Sequence, residues 1–205
     1  MIKHHFYEPR HGHGLKHDPL NAIVAPRPIG WIGSTNAAGV RNLAPYSFFN
    51  LFNYHPPIVG FASTEMKDSA ANIAATGEFT WNLVTRELAE AMNASSATVA
   101  EDIDEFDLAG VAAAPSRLIA APRVAASPVS FECRLTQQFE LTGVTGAATG
   151  AWMTLGEVVA VHIDPAMLDD GVYVTARAQP VLRGGGAGDY FEMTADRLFK
   201  MRRPR

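Results

Sequence analysis

The sequence predicts a mainly β protein, an antiparallel barrel with helices inserted between its strands. Three observations predict it. Strand-like runs dominate, and several end in Gly, Pro or Asn turn signals. The helical runs are few and fall between strands, without the regular alternation that a doubly wound sheet needs. With 205 residues, 47% hydrophobic and 19% charged, the chain reads as one globular unit with a substantial core.

Residues 1–22 are rich in His, Gly, Pro and charge, and read as an irregular N-terminal arm. Residues 23–205 read as a single domain with a C-terminal extension. The first strand is "PRPIGWIGST", residues 26–35, and "NAAG" turns it into "VRNLAPYSFFN", residues 40–50. "PPIVGFAS", residues 56–63, is a third strand. "KDSAANIAAT", residues 67–76, changes to helix: Asp68 or Ser69 caps it, alanines fill it and Gly77 stops it. "EFTWNLV", residues 78–84, is the fourth strand, and "RELAEAMNASS", residues 86–96, a second short helix. The acidic run "EDIDEFD", residues 101–107, reads as a solvated loop around a buried Phe106. Two long strands follow, residues 129–141 and 152–164, joined by the small, flexible "GVTGAATGA". A glycine-rich corner, "QPVLRGGGAGDYFEM", precedes a basic tail.

Composition excludes several function classes. A net charge of −4 argues against a general nucleic-acid binder. Cys133 is the only cysteine, so no internal disulfide forms and a reducing compartment is expected. No signal peptide and no transmembrane run are read, so the expected setting is the cytoplasm, with no membrane partner. There is no G-x-S-x-G elbow, no P-loop and no H-E-x-x-H. "GGGAGD" lacks the Rossmann spacing. Five of the seven histidines lie in the arm at spacings that match no metal pattern, so no metal site is expected.

Two stretches remain. In "NLAPYS", residues 42–47, Pro45 cannot donate to a ladder. The expectation is a bent strand that leaves a neighbouring carbonyl open to a ligand, with Phe48 and Phe49 as apolar walls. In "KDS", residues 67–69, a lysine and a serine flank a helix start, whose free N–H groups favour an anion. Asp68 is the awkward member and is expected to cap the helix or pair with Lys67 or Arg41. Read alone, one stretch is an edge strand with a packing proline and the other a capped helix with a surface lysine. Read together, with Ser63 delivered to the socket by the third strand, they suit one flat, phosphate-bearing ligand. Flavin mononucleotide (FMN) has that shape.

The ordered series "APRPIGWIGS", "NLAPYSFFN", "PPIVGF", "KDSAANI" and "FTWNLV", with the later "GEVVAVHID" and "PVLRGGGAGDYF", resembles the flavin reductase-like family. The likeness runs from about Tyr7 to about Phe191. It implies an FMN-binding split β-barrel, Greek-key and antiparallel, with inserted helices. It implies non-covalent FMN beside a homodimer interface. By similarity Asn42, Ala44, Pro45, Tyr46 and Ser47 would line the ring and ribityl chain. Ser63, Lys67 and Ser69 would hold the phosphate, and Asp68 and Asn72 would order the loop. Arg183 would reach the cofactor from its own or the partner subunit. Trp31, Tyr190 and His162 are lesser candidates with ordinary structural readings. The implied activity is hydride transfer from NADH or NADPH to flavin N5, with reduced flavin passed to a partner oxygenase, a metal chelate or oxygen. No side chain need act as acid or base, because the flavin carries the chemistry. An FMN carrier or sensor without nicotinamide turnover is the alternative; a heme protein lacks an evident axial ligand.

Overall fold

In the computed structural model, which describes residues 2–204, seven strands form one antiparallel sheet. They are β1 (Gly30–Thr35), β2 (Arg41–Tyr46), β3 (Phe49–Tyr54), β4 (Pro57–Ser63), β5 (Glu78–Asn82), β6 (Val129–Thr142) and β7 (Ala148–Ile163). Their spatial order is β2-β1-β5-β6-β7-β4-β3. The edge strands β2 and β3 are consecutive in the chain, with only Ser47 and Phe48 between them. The sheet therefore has to curl until its edges meet, which makes a barrel whose last seam is not hydrogen-bonded. The sequence reading of residues 40–50 as one strand is corrected here. The chain changes edges at Ser47–Phe48, and β3 runs on to Tyr54.

Alternation explains why β1 is buried from Gly30 to Ser34. Ile32 points into the barrel with Phe61, Phe79 and Val59, while Trp31 points the other way onto Leu43, Met92 and Phe106. Both faces are covered, so both residues are fully buried. Each such side chain contributes about 2–3 kcal/mol of burial. The turn between β1 and β2 is held by Asn36, whose Oδ1 accepts from the N–H of Ala38 and of Val40, both at 2.9 Å.

Helix α1 (Asp68–Thr76) lies against β1 and buries Ser69, Ala70 and Ile73. It ends at Gly77, left-handed at φ 74°, whose N–H returns to the Ile73 carbonyl at 2.8 Å. The predicted second helix is shorter, α2 (Ala89–Ala94), and a one-turn helix, α3 (Glu105–Leu108), stands in the acidic run. The glycine-rich corner belongs to a small sheet of Arg27–Pro28, Val181–Arg183 and Tyr190–Glu192. A Cβ on Gly185 would meet the Cα of Ala22 at 2.0 Å, so the corner needs glycine where the end of the arm crosses it. Among the described residues no helix is long and apolar enough to cross a membrane.

Candidate functional site

A cavity of about 430 Å³, with polar and apolar walls, lies where β2, the end of β4 and the start of α1 converge. Its volume falls in the usual range for small-molecule sites. Asn42, Ala44, Pro45 and Tyr46 of β2 line it, and Ser47 follows. Ser63 lines it from the end of β4, and Lys67, Asp68 and Ser69 from the start of α1. The two stretches singled out in the sequence thus share one cavity. Asn72 and Arg183 do not line it. Asn72 donates to the Ser34 hydroxyl at 3.4 Å, one helical turn behind the wall. Arg183 donates to the carbonyls of Asp189 and Ala187 and lies over the Tyr190 ring.

The start of α1 is uncapped. Lys67 occupies the cap position without a side-chain bond, and the N–H groups of Asp68, Ser69 and Ala70 have no acceptor among the described residues. The expected capping by Asp68 or Ser69 is therefore corrected. Asp68 also pairs with neither Lys67 nor Arg41: Lys67 lies 3.5 Å from Glu65, and Arg41 pairs with Asp104 and Asp107. Ser63 adds a third feature. It is 2% exposed, and its hydroxyl oxygen has no partner among the described residues. A buried hydroxyl without a partner costs stability unless a ligand completes it.

Behind the wall a network ties four elements together. The Ser69 hydroxyl donates to Asn42 Oδ1 at 2.6 Å, and the Ser34 hydroxyl donates to the same oxygen at 3.2 Å. Asn42 Nδ2 donates to Glu105 Oε1 at 3.0 Å, and the Leu43 N–H to Glu105 Oε2 at 3.1 Å. Burial raises the Glu105 carboxyl above its ordinary value, and these donors offset part of that. Burial likewise pushes the Tyr46 phenol up, so it stays protonated at neutral pH; the Ser69 and Ser63 hydroxyls stand close enough to offset part of this, though neither meets full hydrogen-bond geometry with it.

Glu105 also explains Pro45. The Leu43 N–H points away from β1, and Pro45, two residues on, places its nitrogen on that same outward side. The proline removes no ladder bond and opens no carbonyl on β1, which corrects the sequence expectation. Phe48 does wall the cavity. Phe49 does not: it points to the other face and stacks on Trp81 with centroids 5.5 Å apart. The sequence reading missed Glu105, Thr64 and the loop Ser95–Val99, all of which line the cavity. The buried Trp31 donates from Nε1 to the Ser95 hydroxyl at 2.9 Å, which fixes the start of that loop. His162 lies elsewhere, bonded to Glu132 at 2.5 Å.

A model of the flavin reductase like domain matches residues 24–181. The chain belongs to this family. A Deinococcus radiodurans relative without an assigned function is 38% identical over 186 residues, covering 83% of this chain and 78% of its own. Nitrilotriacetate monooxygenase component B of Bacillus cereus superposes with a TM-score of 0.82 at 25% identity, covering 89% of this chain and 90% of that one. The 2-nitrobenzoate 2-nitroreductase of Pseudomonas fluorescens does so with 0.79 at 30% identity, covering 90% and 88%. The fold of this flavin reductase-like chain is an antiparallel split barrel.

The cavity fits a flavin nucleotide on its own chemistry. The free N–H groups of α1, the Lys67 ammonium and the unpartnered Ser63 hydroxyl are donors for a phosphate. The β2 edge and Phe48 offer a flat, partly apolar wall. Two carboxylates, Asp68 and Glu105, also line the space. Both oxygens of Glu105 already accept hydrogen bonds from protein donors.

Proposed function

We propose that this protein binds FMN in the cavity between β2 and α1 and is an NAD(P)H-dependent flavin reductase. The observation that carries the proposal is the buried Ser63 hydroxyl, which meets hydrogen-bond geometry with no described residue, has the Tyr46 phenol as a close polar neighbour, and opens beside an uncapped helix start. Bound there, a flavin would supply the redox chemistry, hydride acceptance from NADH or NADPH. The protein's part is to hold, orient and shield. Lys67, Ser63 and the first N–H groups of α1 grip the phosphate. The β2 edge from Ala44 to Ser47 faces the ring and ribityl chain, and Phe48 keeps water from one side. Asn72 braces α1 against β1 through the Ser34 hydroxyl, and Asp68 faces the cavity beside Lys67. Arg183 serves the site only through the glycine-rich corner or from a partner subunit.

The likeness to a nitrilotriacetate monooxygenase component B supports an oxygenase as the taker of reduced flavin. The setting we propose is the cytoplasm. A homodimer is part of the same proposal. An apolar trough of about 660 Å³ runs beside the edge strand β3, with Leu51, Tyr54, Val159 and Val161 along it. Exposed apolar edges of this kind are normally covered.

The experiment is a visible spectrum of the protein reconstituted with FMN, before and after NADH or NADPH without oxygen. A perturbed flavin spectrum that bleaches with nicotinamide is expected. Binding without bleaching by either nicotinamide selects a carrier or sensor. No spectral change with FMN rejects the cofactor assignment. Light scattering that shows a monomer at micromolar concentration rejects the dimer.

A further inference from the structure

The network behind the cavity has a direction, and Glu105 sets it. A carboxylate only accepts, and the Leu43 N–H, fixed in the backbone, already occupies Oε2. Asn42 must therefore turn its amide nitrogen to Oε1 and its amide oxygen toward Ser34 and Ser69. The Ser69 hydroxyl must then spend its proton on Asn42 Oδ1, at 2.6 Å. What Ser69 shows to the cavity is a lone pair, which the protonated Tyr46 phenol beside it and a ligand hydroxyl can both approach.

We propose that Glu105 is the positioning residue that gives the cavity two chemically distinct ends, making the Ser69 hydroxyl an acceptor that selects a ligand hydroxyl while the anion is held by Lys67, Ser63 and backbone N–H groups. The proposal rests on the FMN reading for the identity of that hydroxyl, which is one of the ribityl chain. The polarity itself rests only on the network. Phosphate binding by the Ser69 side chain, expected from the family resemblance, is replaced by phosphate binding through its N–H.

Glu105→Gln reverses the direction at constant size. The glutamine oxygen must take the Leu43 N–H, so its amide nitrogen faces Asn42. Asn42 then flips, and its nitrogen faces Ser34 and Ser69. The Ser69 proton is released into the cavity, where it becomes a donor to an anion.

The test measures the dissociation constants of FMN, riboflavin and inorganic phosphate in wild type, E105Q, S69A and the E105Q/S69A double variant. In E105Q the preference for FMN over riboflavin rises about tenfold, the scale of one hydrogen bond to a charged group, and inorganic phosphate binds tighter. In the double variant that gain disappears, which separates a released proton from the mere loss of a negative charge. In the wild-type background S69A weakens riboflavin and leaves inorganic phosphate within about twofold, a readout that does not depend on how well E105Q folds. A purely structural Glu105 would weaken all three ligands together, and that result overturns the proposal. So does a gain in E105Q that survives S69A, or a loss of phosphate affinity in S69A alone. A wild-type protein that binds neither flavin, with the phosphate pattern intact, removes the FMN reading and leaves the polarity standing.

Discussion

Glu105 and Glu132 are both buried, 5% and 0% exposed, and both accept backbone N–H groups from another part of the chain. Their surroundings differ. Glu132, on β6, accepts from the N–H groups of Arg117 and Leu118, each at 2.7 Å, and is bonded to His162. Burial alone would raise its carboxyl, yet these donors outweigh it and hold it below its ordinary value. Glu105 has its own N–H, Leu43 and Asn42, and burial outweighs them, so its carboxyl stays raised. The Glu132 region is a finished fastening that pins the loop around 117–118 to the barrel. The Glu105 region, with Ser63 unpartnered and α1 uncapped beside it, holds hydrogen-bonding capacity unspent. Unspent polar capacity inside a fold is what marks a site.

The sharpest way to break this contrast is truncation. Glu132→Ala strands two backbone donors and a ring at once, and should lower stability by about 3 kcal/mol. Glu105→Ala should cost about 1–2 kcal/mol, because it leaves a single backbone donor, Leu43, and its other donor, Asn42, borders a cavity that water can enter. Urea unfolding of both variants reads the difference, and equal losses would erase the distinction between fastening and site.

Ser63→Ala is the next test, on the cavity side alone. The hydroxyl has no partner to lose, so unliganded stability should move by less than about 0.5 kcal/mol. FMN affinity should fall about tenfold, read by quenching of flavin fluorescence. A variant that loses stability and keeps its affinity would show that Ser63 is structural. Lys67→Ala should be milder, a few-fold in affinity and a weaker salt dependence, because the ammonium is half exposed beside Glu65.

How much was legible in the sequence follows the same division. Local chemistry was readable: the Asn36–Gly39 turn, α1 stopped by Gly77, and strands such as β1 and β5. The two stretches that line the cavity stood out locally too, the Lys67–Ser69 start for its free helix N–H groups and Pro45 for a reason that the barrel edge overturns. Glu105 was not. It sits among five acidic residues within seven positions, and its partners are 62 and 63 residues away in the chain. No composition rule separates one buried carboxylate from its solvated neighbours. The change of edge at Ser47–Phe48 was hidden for a related reason. Both edge strands are apolar and extended, and only the closure of the barrel decides where one ends.

The smallest expected effect is also the one that opposes the two glutamates most directly. Both carboxyls have an ordinary value of 4.5 in the unfolded chain. Glu132 is lowered on folding, so its stabilisation is complete above that value and is lost as pH falls below it, through the folded carboxyl's own titration. Glu105 is raised, so it costs stability at neutral pH, and the cost is relieved as pH falls from its folded value toward 4.5. The two contributions have opposite signs and act in adjacent windows. Stability of the unliganded protein, measured by urea midpoint from pH 7 to pH 3, should therefore decline less above 4.5 than below it. Glu132→Gln should flatten the lower limb. Glu105→Gln should leave that limb and remove the relief above it, so that the loss on acidification starts earlier. If instead both substitutions changed the same limb in the same direction, the two carboxylates would be equivalent, and the cavity would have no claim to be the less satisfied of the two regions.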